Sequence, residues 1–360
     1  MTGYIKEGSV CIKADKGVFY NPEMEISRDI LSAAIGCIAI TNFCDGHSAT
    51  GIKAIRVKKE NPHIDVVYAV DISRKACNNI RRNIHLNKMK NIRVVNRDIK
   101  HFLMENNFDF VEIDPFGTPV PYLCALSESC SWKKRGFFSV TATDTAVLCG
   151  PEVRACRREY GSVQLRAENV HENGLRILIS KIHNTFMEKN IAVLPIFSLS
   201  HKHYLKVFFE YVRSAKSCDM SADLTGNLAY CANCFNRWYI EPGESSTCNL
   251  CGKKSGVYGP FWRGLLNSSG FIGQVKKEIA RRGYRHTEEE IRLLDKIECE
   301  NFPGMCYDLH KVFSGKHVPS TKCIIDKLKE CGFEAAQTHY KSWIIRTNAT
   351  IKEIMAAGKD

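Results

Sequence analysis

Phe43-Cys44-Asp45-Gly46-His47-Ser48-Ala49-Thr50-Gly51 decides how the rest of the chain is read. An apolar run ends in a carboxylate, and a turn of small residues follows. Ile52, Ile55 and Val57 then resume at helical spacing. That is a strand, a tight turn and a helix start. Outward from it, 66–70 is a valine-rich strand ending at Asp71, and the spacing predicts a helix over 73–87 with Ser73 as its cap. A strand over 92–95 stops before Asp98. A buried strand over 108–113 runs into Asp114-Pro115-Phe116-Gly117, and another covers 137–143. A helix over 28–40 precedes the series, and a long strand over 203–212 closes it. Strand alternating with helix predicts a parallel sheet covered on both faces. Such sheets bind ligands outside the carboxyl ends of their strands. Asp45, Asp71, Asp98 and Asp114 all fall there.

Composition narrows the ligand. The 360 residues carry 44% hydrophobic and 25% charged side chains, an ordinary globular mix. The net charge of +12 suits a polyanion as well as a small acidic substrate. The N-terminal stretch has no apolar core of a signal peptide, and no run reaches the length of a membrane span. With 17 scattered cysteines, the expectation is an intracellular, reducing environment, nuclear or cytoplasmic and not secreted.

The turn Asp45-Gly46 to Gly51 would let a backbone approach the methionine end of an adenosyl methyl donor. Asp71 would accept from ribose hydroxyls, and Asp98 would read the adenine. A dinucleotide site uses similar geometry. Two features favour the methyl donor. Ser48 and Ala49 replace the middle glycine of the dinucleotide turn, and Asp-Pro-Phe-Gly has no role in hydride transfer. An exocyclic base amine is a poor nucleophile, so its methylation needs an acceptor for an N–H proton and in-line positioning. Asp114 can be that acceptor. Pro115 extends the chain before it and exposes a carbonyl, Phe116 offers a stacking face, and Gly117 permits the turn. The same four residues also suit an ordinary strand exit.

Cys231-x2-Cys234 and Cys248-x2-Cys251 have the spacing of a closed four-thiolate zinc site, structural because no position stays open; disulfides are the alternative. Trp238, Tyr239 and Phe261-Trp262-Arg263 pack that knuckle or touch RNA. Beyond it, helices are expected over 274–282, 288–300 and 320–331. Thr287 with Glu290 is a candidate capping box, and Gly332 a stop. Lys276, Lys277, Arg281, Arg282 and Arg285 form one basic run; Arg81, Arg82, Lys88 and Lys90 form another.

Together, Val18-Phe19-Tyr20-Asn21-Pro22 with Ser27-Arg28-Asp29, Ser48 to Gly51 with Arg56, Asp71-Ile72-Ser73, Asp98, Asp114 to Gly117 and Val140 to Ala146 resemble the tRNA (guanine-26-N2)-dimethyltransferase family. His171-Glu172-x-Gly174-Leu175-Arg176-Ile177-Leu178, Gly332-Phe333 and Thr338-His339-Tyr340 extend the resemblance over nearly the whole chain. It implies an α/β fold. A class I methyltransferase (Rossmann-like) parallel-sheet domain over 1–213 would precede a smaller α+β domain over 214–360, zinc-containing and tRNA-binding. S-adenosyl-L-methionine would be held by Arg28 and Arg56 at its carboxylate, Asp71 and Ile72 at the ribose, and Asp98 and Ile99 at the adenine, beside Asp45, Gly46 and Gly51. Asp114 and Pro115 would be catalytic, with Phe116 and Phe19 sandwiching the flipped guanine. The enzyme would act as a monomer on tRNA, with structural zinc on Cys231, Cys234, Cys248 and Cys251. Two other readings are an amino methyltransferase for adenine N6 or a protein glutamine, and a non-catalytic zinc-bearing RNA-binding module.

Overall fold

A computed structural model describes residues 3–167, 169–315 and 317–359. Seven strands build the main sheet: β1 (Asn42–Asp45), β2 (Val66–Asp71), β3 (Ile92–Asn96), β4 (Phe110–Ile113), β5 (Arg135–Ala142), β6 (Ile191–His201) and β7 (Tyr204–Arg213). Their order is β3-β2-β1-β4-β5-β7-β6. The first five run parallel, and β7 is antiparallel to both β5 and β6. The order reverses between β1 and β4, which opens a crevice at their carboxyl ends. Asp45 and Asp114 lie at that point. All four residues of β4 are buried, because helices cover both sheet faces. Glu25–Gly36 and Ile52–Glu60 pack on one face; Ile99–Glu105, Val120–Ser131 and Val170–Met187 pack on the other.

The expected strand-helix alternation is present, with shifted ends. The helix expected over 28–40 spans Glu25–Gly36, started by a 3-10 turn at Pro22–Met24 whose cap is Asn21. Strand β6 was not anticipated because Pro195 interrupts its apolar run. The proline is tolerated because β6 is the sheet edge and the register shifts between Pro195 and Phe197.

After Arg213 the chain forms two small antiparallel sheets. One joins Thr225–Tyr230 with Arg237–Ile240 and Gly256–Trp262. The other joins Met305–Asp308, Ile344–Thr347 and Ala335–Gln337. The second sheet packs with Thr321–Glu330 and Ile351–Ala357 around its own core. Helices Ser269–Arg282 and Thr287–Cys299 instead return to the main sheet and share the core of Glu25–Gly36. This overturns the expected capping box. Thr287 Oγ1 donates to Tyr284 O at 2.9 Å, and Glu290 turns inward, fully buried, leaving the helix start to His286. No described helix is long and apolar enough to cross a membrane.

Candidate active site

The turn after β1 is pinned from three sides. Gly46 N donates to Glu112 O at 3.0 Å, and a Cβ at Gly46 would sit 2.9 Å from that carbonyl. Ser48 N donates to Val70 O at 3.1 Å, and Ala49 N donates to Asp71 Oδ2 at 2.9 Å. Gly51 has φ +79°, where a side chain is strained, and its Cβ would strike Ile80. Asp71 Oδ1 also accepts from Ser73 N at 2.8 Å. Two bonds leave a carboxylate with further acceptor capacity, so Asp71 can brace the turn and still meet hydroxyls. Ile72 beside it is 72% exposed, an apolar surface with no protein cover. On the neighbouring strand end, Asp98 caps its helix by accepting from Lys100 N at 2.8 Å, and Ile99 is buried against Gly46. Asp71 and Ile72 at the end of β2 and Asp98 and Ile99 just past the end of β3 thus stand side by side at the carboxyl edge of neighbouring parallel strands.

Asp114 is held from below by a cation that the sequence reading missed. Lys53 Nζ lies 2.8 Å from Asp114 Oδ2, 3.3 Å from Asp45 Oδ1 and 4.0 Å from Glu112 Oε1. Burial pushes the Asp114 carboxyl up, but the charges of Lys53 and Lys206 outweigh it and bring it down to about 2. Burial would likewise depress the Lys53 ammonium, but Asp114, Asp45 and Glu112 together raise it. Asp45 itself is fully buried, and burial pushes its carboxyl up despite Lys53. It faces Lys53 in the interior, so its link to the groove runs through that amine. Lys206 in turn bonds Glu112 and Thr141, and Ser139 bonds Glu112. The only hint of this in the sequence is a lysine inside the apolar start Ile52-Lys53-Ala54-Ile55, which reads as a solvated residue.

Pro115 is buried, whereas Phe116 is 74% and Phe19 51% exposed. The two rings meet edge to face, 4.6 Å between centroids at 85°. The structure thus brings the expected pair together, but not as two parallel walls with a gap of one base. A planar base enters only when the rings part. The loop carrying Phe116 is anchored by Gly117 N donating to Thr143 Oγ1 at 2.7 Å, and Thr143 N donating back to Gly117 O at 3.0 Å.

Arg28 and Arg56 are not gathered at this groove edge. Arg28 Nε and Nη2 donate to Glu7 at 2.7 and 2.6 Å. Arg56 has no exposed surface, and it meets Glu7, Asp29 and Glu60 at 2.9, 2.5 and 3.0 Å. Burial would raise the Glu7 carboxyl, but both arginines overcome this and lower it. These bonds clamp the N-terminal arm, with its strands Ile5–Glu7 and Val10–Ile12, to the helices below Phe19.

In the C-terminal half, the Sγ atoms of Cys231, Cys234, Cys248 and Cys251 lie within 4.8 Å of one another. The two knuckles have the same build. Phe235 N donates to Cys231 O and Gly252 N donates to Cys248 O, each four residues on and each at positive φ. Four thiolates so placed fit zinc at its usual Zn–S distance of ~2.3 Å. The Trp262 and Phe261 side chains are buried packing. The basic run on Ser269–Arg282 is largely neutralised internally. Lys276 pairs with Asp295 and Glu298, Arg281 and Arg282 pair with Glu278, and Arg282 also reaches Glu60.

Comparison with known proteins gives the arrangement a setting. Residues 3–358 match the family model of N2,N2-dimethylguanosine tRNA methyltransferases. A tRNA (guanine(26)-N(2))-dimethyltransferase of Methanobrevibacter smithii is 33% identical over 356 residues, covering 95% of this chain and 91% of that one. A tRNA (guanine(26)-N(2)/guanine(27)-N(2))-dimethyltransferase of Aquifex aeolicus is 34% identical over 357 residues, covering 96% and 90%. The solved structure of Trm1 from Pyrococcus horikoshii with S-adenosyl-L-methionine superposes with a TM-score of 0.89 at 28% identity, covering 99% of this chain and 100% of that one.

Proposed function

The chain belongs to the N2,N2-dimethylguanosine tRNA methyltransferase family, and from that premise we propose how its residues carry out the reaction. It is an S-adenosylmethionine-dependent enzyme that methylates N2 of guanine 26 in tRNA. That membership decides against the adenine, glutamine and non-catalytic readings.

Asp71 and Ile72 hold the ribose and Asp98 and Ile99 the adenine, with the turn from Gly46 to Gly51 against the methionine end. The bound cofactor supplies an electrophilic methyl group on a sulfonium. The guanine leaves its stack, as a base must to be reached inside folded RNA, and lies between Phe19 and Phe116. Asp114 is a carboxylate throughout the neutral range, because Lys53 keeps it so. Lys53 occupies Oδ2, leaving Oδ1 to accept from the N2 amine and aim its lone pair. As N2 takes the methyl group, the methyl–sulfur bond would break and its electron pair leave on a neutral thioether; the methylated amine is a strong acid, and its proton passes to Asp114 in spite of that group's low pKa. The carrying observation is the exposed Phe19–Phe116 ring pair beside a carboxylate fixed by Lys53, two residues before Phe116 and at the sheet's switch point. Arg28 and Arg56 serve by holding the arm that presents Phe19.

We assign 1–213 to the methyltransferase unit and 214–360 to the tRNA-binding unit, whose helices Ser269–Arg282 and Thr287–Cys299 pack on the core of the first and which zinc on the four cysteines would brace. Phe19, Lys53, Asp114 and Phe116 all come from one chain, so a monomer holds a complete site. Its thiolate site suits a reducing intracellular compartment. The test is incubation with labelled methyl donor and unmodified tRNA, followed by nucleoside mapping. Label in N2-methylated guanosine at position 26 is expected; label in methyladenosine or in protein overturns the reading.

A further inference from the structure

A cavity of about 560 Å³ lies against the C-terminal sheets, and none of the residues assigned above to catalysis, cofactor or metal lines it. Its size is that of a small-ligand site. Its wall combines an aromatic face, a cation and amide groups. The Arg263 guanidinium lies 4.6 Å from the ring centroid of half-buried Tyr239. Among the described residues that guanidinium uses only Nη1, on Glu241 at 2.7 Å, which leaves its other donors for a ligand. Asn267 Oδ1 accepts from Ser198 N at 2.7 Å and Asn348 Oδ1 from Glu334 N at 2.9 Å; their amino groups have no partner among the described residues. Asn301 donates to Asn267 O and Ser269 Oγ, which leaves its Oδ1 as an acceptor. A stacking ring, a guanidinium and both kinds of amide valence are what an unpaired nucleotide needs.

The wall is rigid and tied to the catalytic edge. Glu172 accepts from Arg176 and Arg346, each at 2.7 Å, joining helix Val170–Met187 to strand Ile344–Thr347. Tyr340, also on the wall, stacks on His171 with rings 10° apart, and His171 meets Ser200 Oγ at 3.2 Å. Ser200 pairs with Leu205, and Leu205 pairs with Ala142 at the carboxyl end of β5, the neighbour of the strand that delivers Asp114. The motif from His171 to Arg176, which the methyl-transfer chemistry leaves unused, thus builds this wall.

We propose that the cavity is a second nucleotide site, taking an unpaired nucleotide of the tRNA while the target guanine lies between Phe19 and Phe116. This rests on tRNA being the substrate. The experiment uses the full-length enzyme and a tRNA transcript. Tyr239→Ala, Tyr239→Phe and Arg263→Gln are compared for tRNA Kd, KM and kcat. A photo-crosslinking phenylalanine analogue at position 239 then identifies the nucleotide beside it. Tyr239→Ala and Arg263→Gln are each expected to raise Kd and KM about tenfold, with kcat within about twofold, while Tyr239→Phe stays near wild type. The crosslink is expected at one unpaired nucleotide other than 26. Wild-type Kd and KM in both variants, or crosslinks confined to paired stems, overturn the proposal. If the unaltered enzyme fails to methylate tRNA, the substrate reading itself falls; if it methylates while both variants match it, only the second site falls.

Discussion

Lys53 Nζ stands 2.8 Å from Asp114 Oδ2, so the catalytic carboxylate is one half of a largely buried ion pair. Without the amine, burial would act on Asp114 unopposed except by more distant charges, and its pKa would rise. Lys53→Met is therefore expected to move the acid limb of the kcat profile upward by about one unit or more, whereas the wild type stays flat with respect to Asp114 from about pH 5 to 8. Lys53→Arg should restore most of the wild-type profile. Superimposable limbs for Lys53→Met and wild type would remove Lys53 from control of Asp114.

The edge-to-face pair of Phe19 and Phe116 must open to admit guanine. Loss of either ring forfeits stacking worth about 1–3 kcal/mol per base. Phe116→Ala and Phe19→Ala are each expected to cut kcat/KM by about tenfold or more, while Phe116→Tyr retains activity. Steady-state kinetics on a single tRNA transcript reads this. Full activity in both alanine variants would mean the base is held elsewhere.

The four cysteines predict about one zinc per chain by elemental analysis. Cys234→Ser and Cys248→Ser should lose the metal and lower the Tm, because metal binding to such knuckles is coupled to folding. Wild-type protein that holds well under one zinc, or that keeps its Tm after chelation, removes the metal from the account.

Some of this was readable in the chain and some was not, for physical reasons. Asp71 and Asp114 stand out because each ends a short apolar run, and Asp98 because it follows the next strand by two residues; β-strands that stop at or near a carboxylate leave a local mark. Phe19 reads as core by itself and is placed only by family resemblance. Lys53 was hidden because one lysine on a helix has the pattern of a solvated face; its partners lie at 45, 112 and 114. The cofactor role of Arg56 rests on family resemblance alone; its partner Glu60 stands four residues on in the same helix, but Glu7 and Asp29 reach it only through tertiary packing. The inward turn of Glu290 was unreadable for the same reason. Its partner Asp29 lies in another helix.

That pair carries a pH signature. Burial first, and the Asp29 carboxylate next, push the Glu290 carboxyl up to about 9, against the pull of Arg56; Glu25 adds to the rise. Both carboxyls are buried and meet each other, so a protonated Glu290 donates its O–H to Asp29; beyond that and the Arg56–Asp29 ion pair they have no donor among the described residues. A folded pKa above the unfolded one means stability that is complete below about pH 4.3 and is lost as pH rises through 9. Glu290→Gln mimics the protonated form. Its Tm is expected to fall less than that of the wild type between about pH 6 and 9. Parallel Tm curves would show that Glu290 is not the proton carrier.

The central claim is that Asp114 accepts from the N2 amine, and the most direct measurement is methyl transfer by Asp114→Ala alongside its tRNA affinity. Transfer to guanine 26 is expected to fall by about a hundredfold or more, while the Kd for tRNA stays near the wild-type value. Methyl transfer at the wild-type rate in that variant would contradict the mechanism.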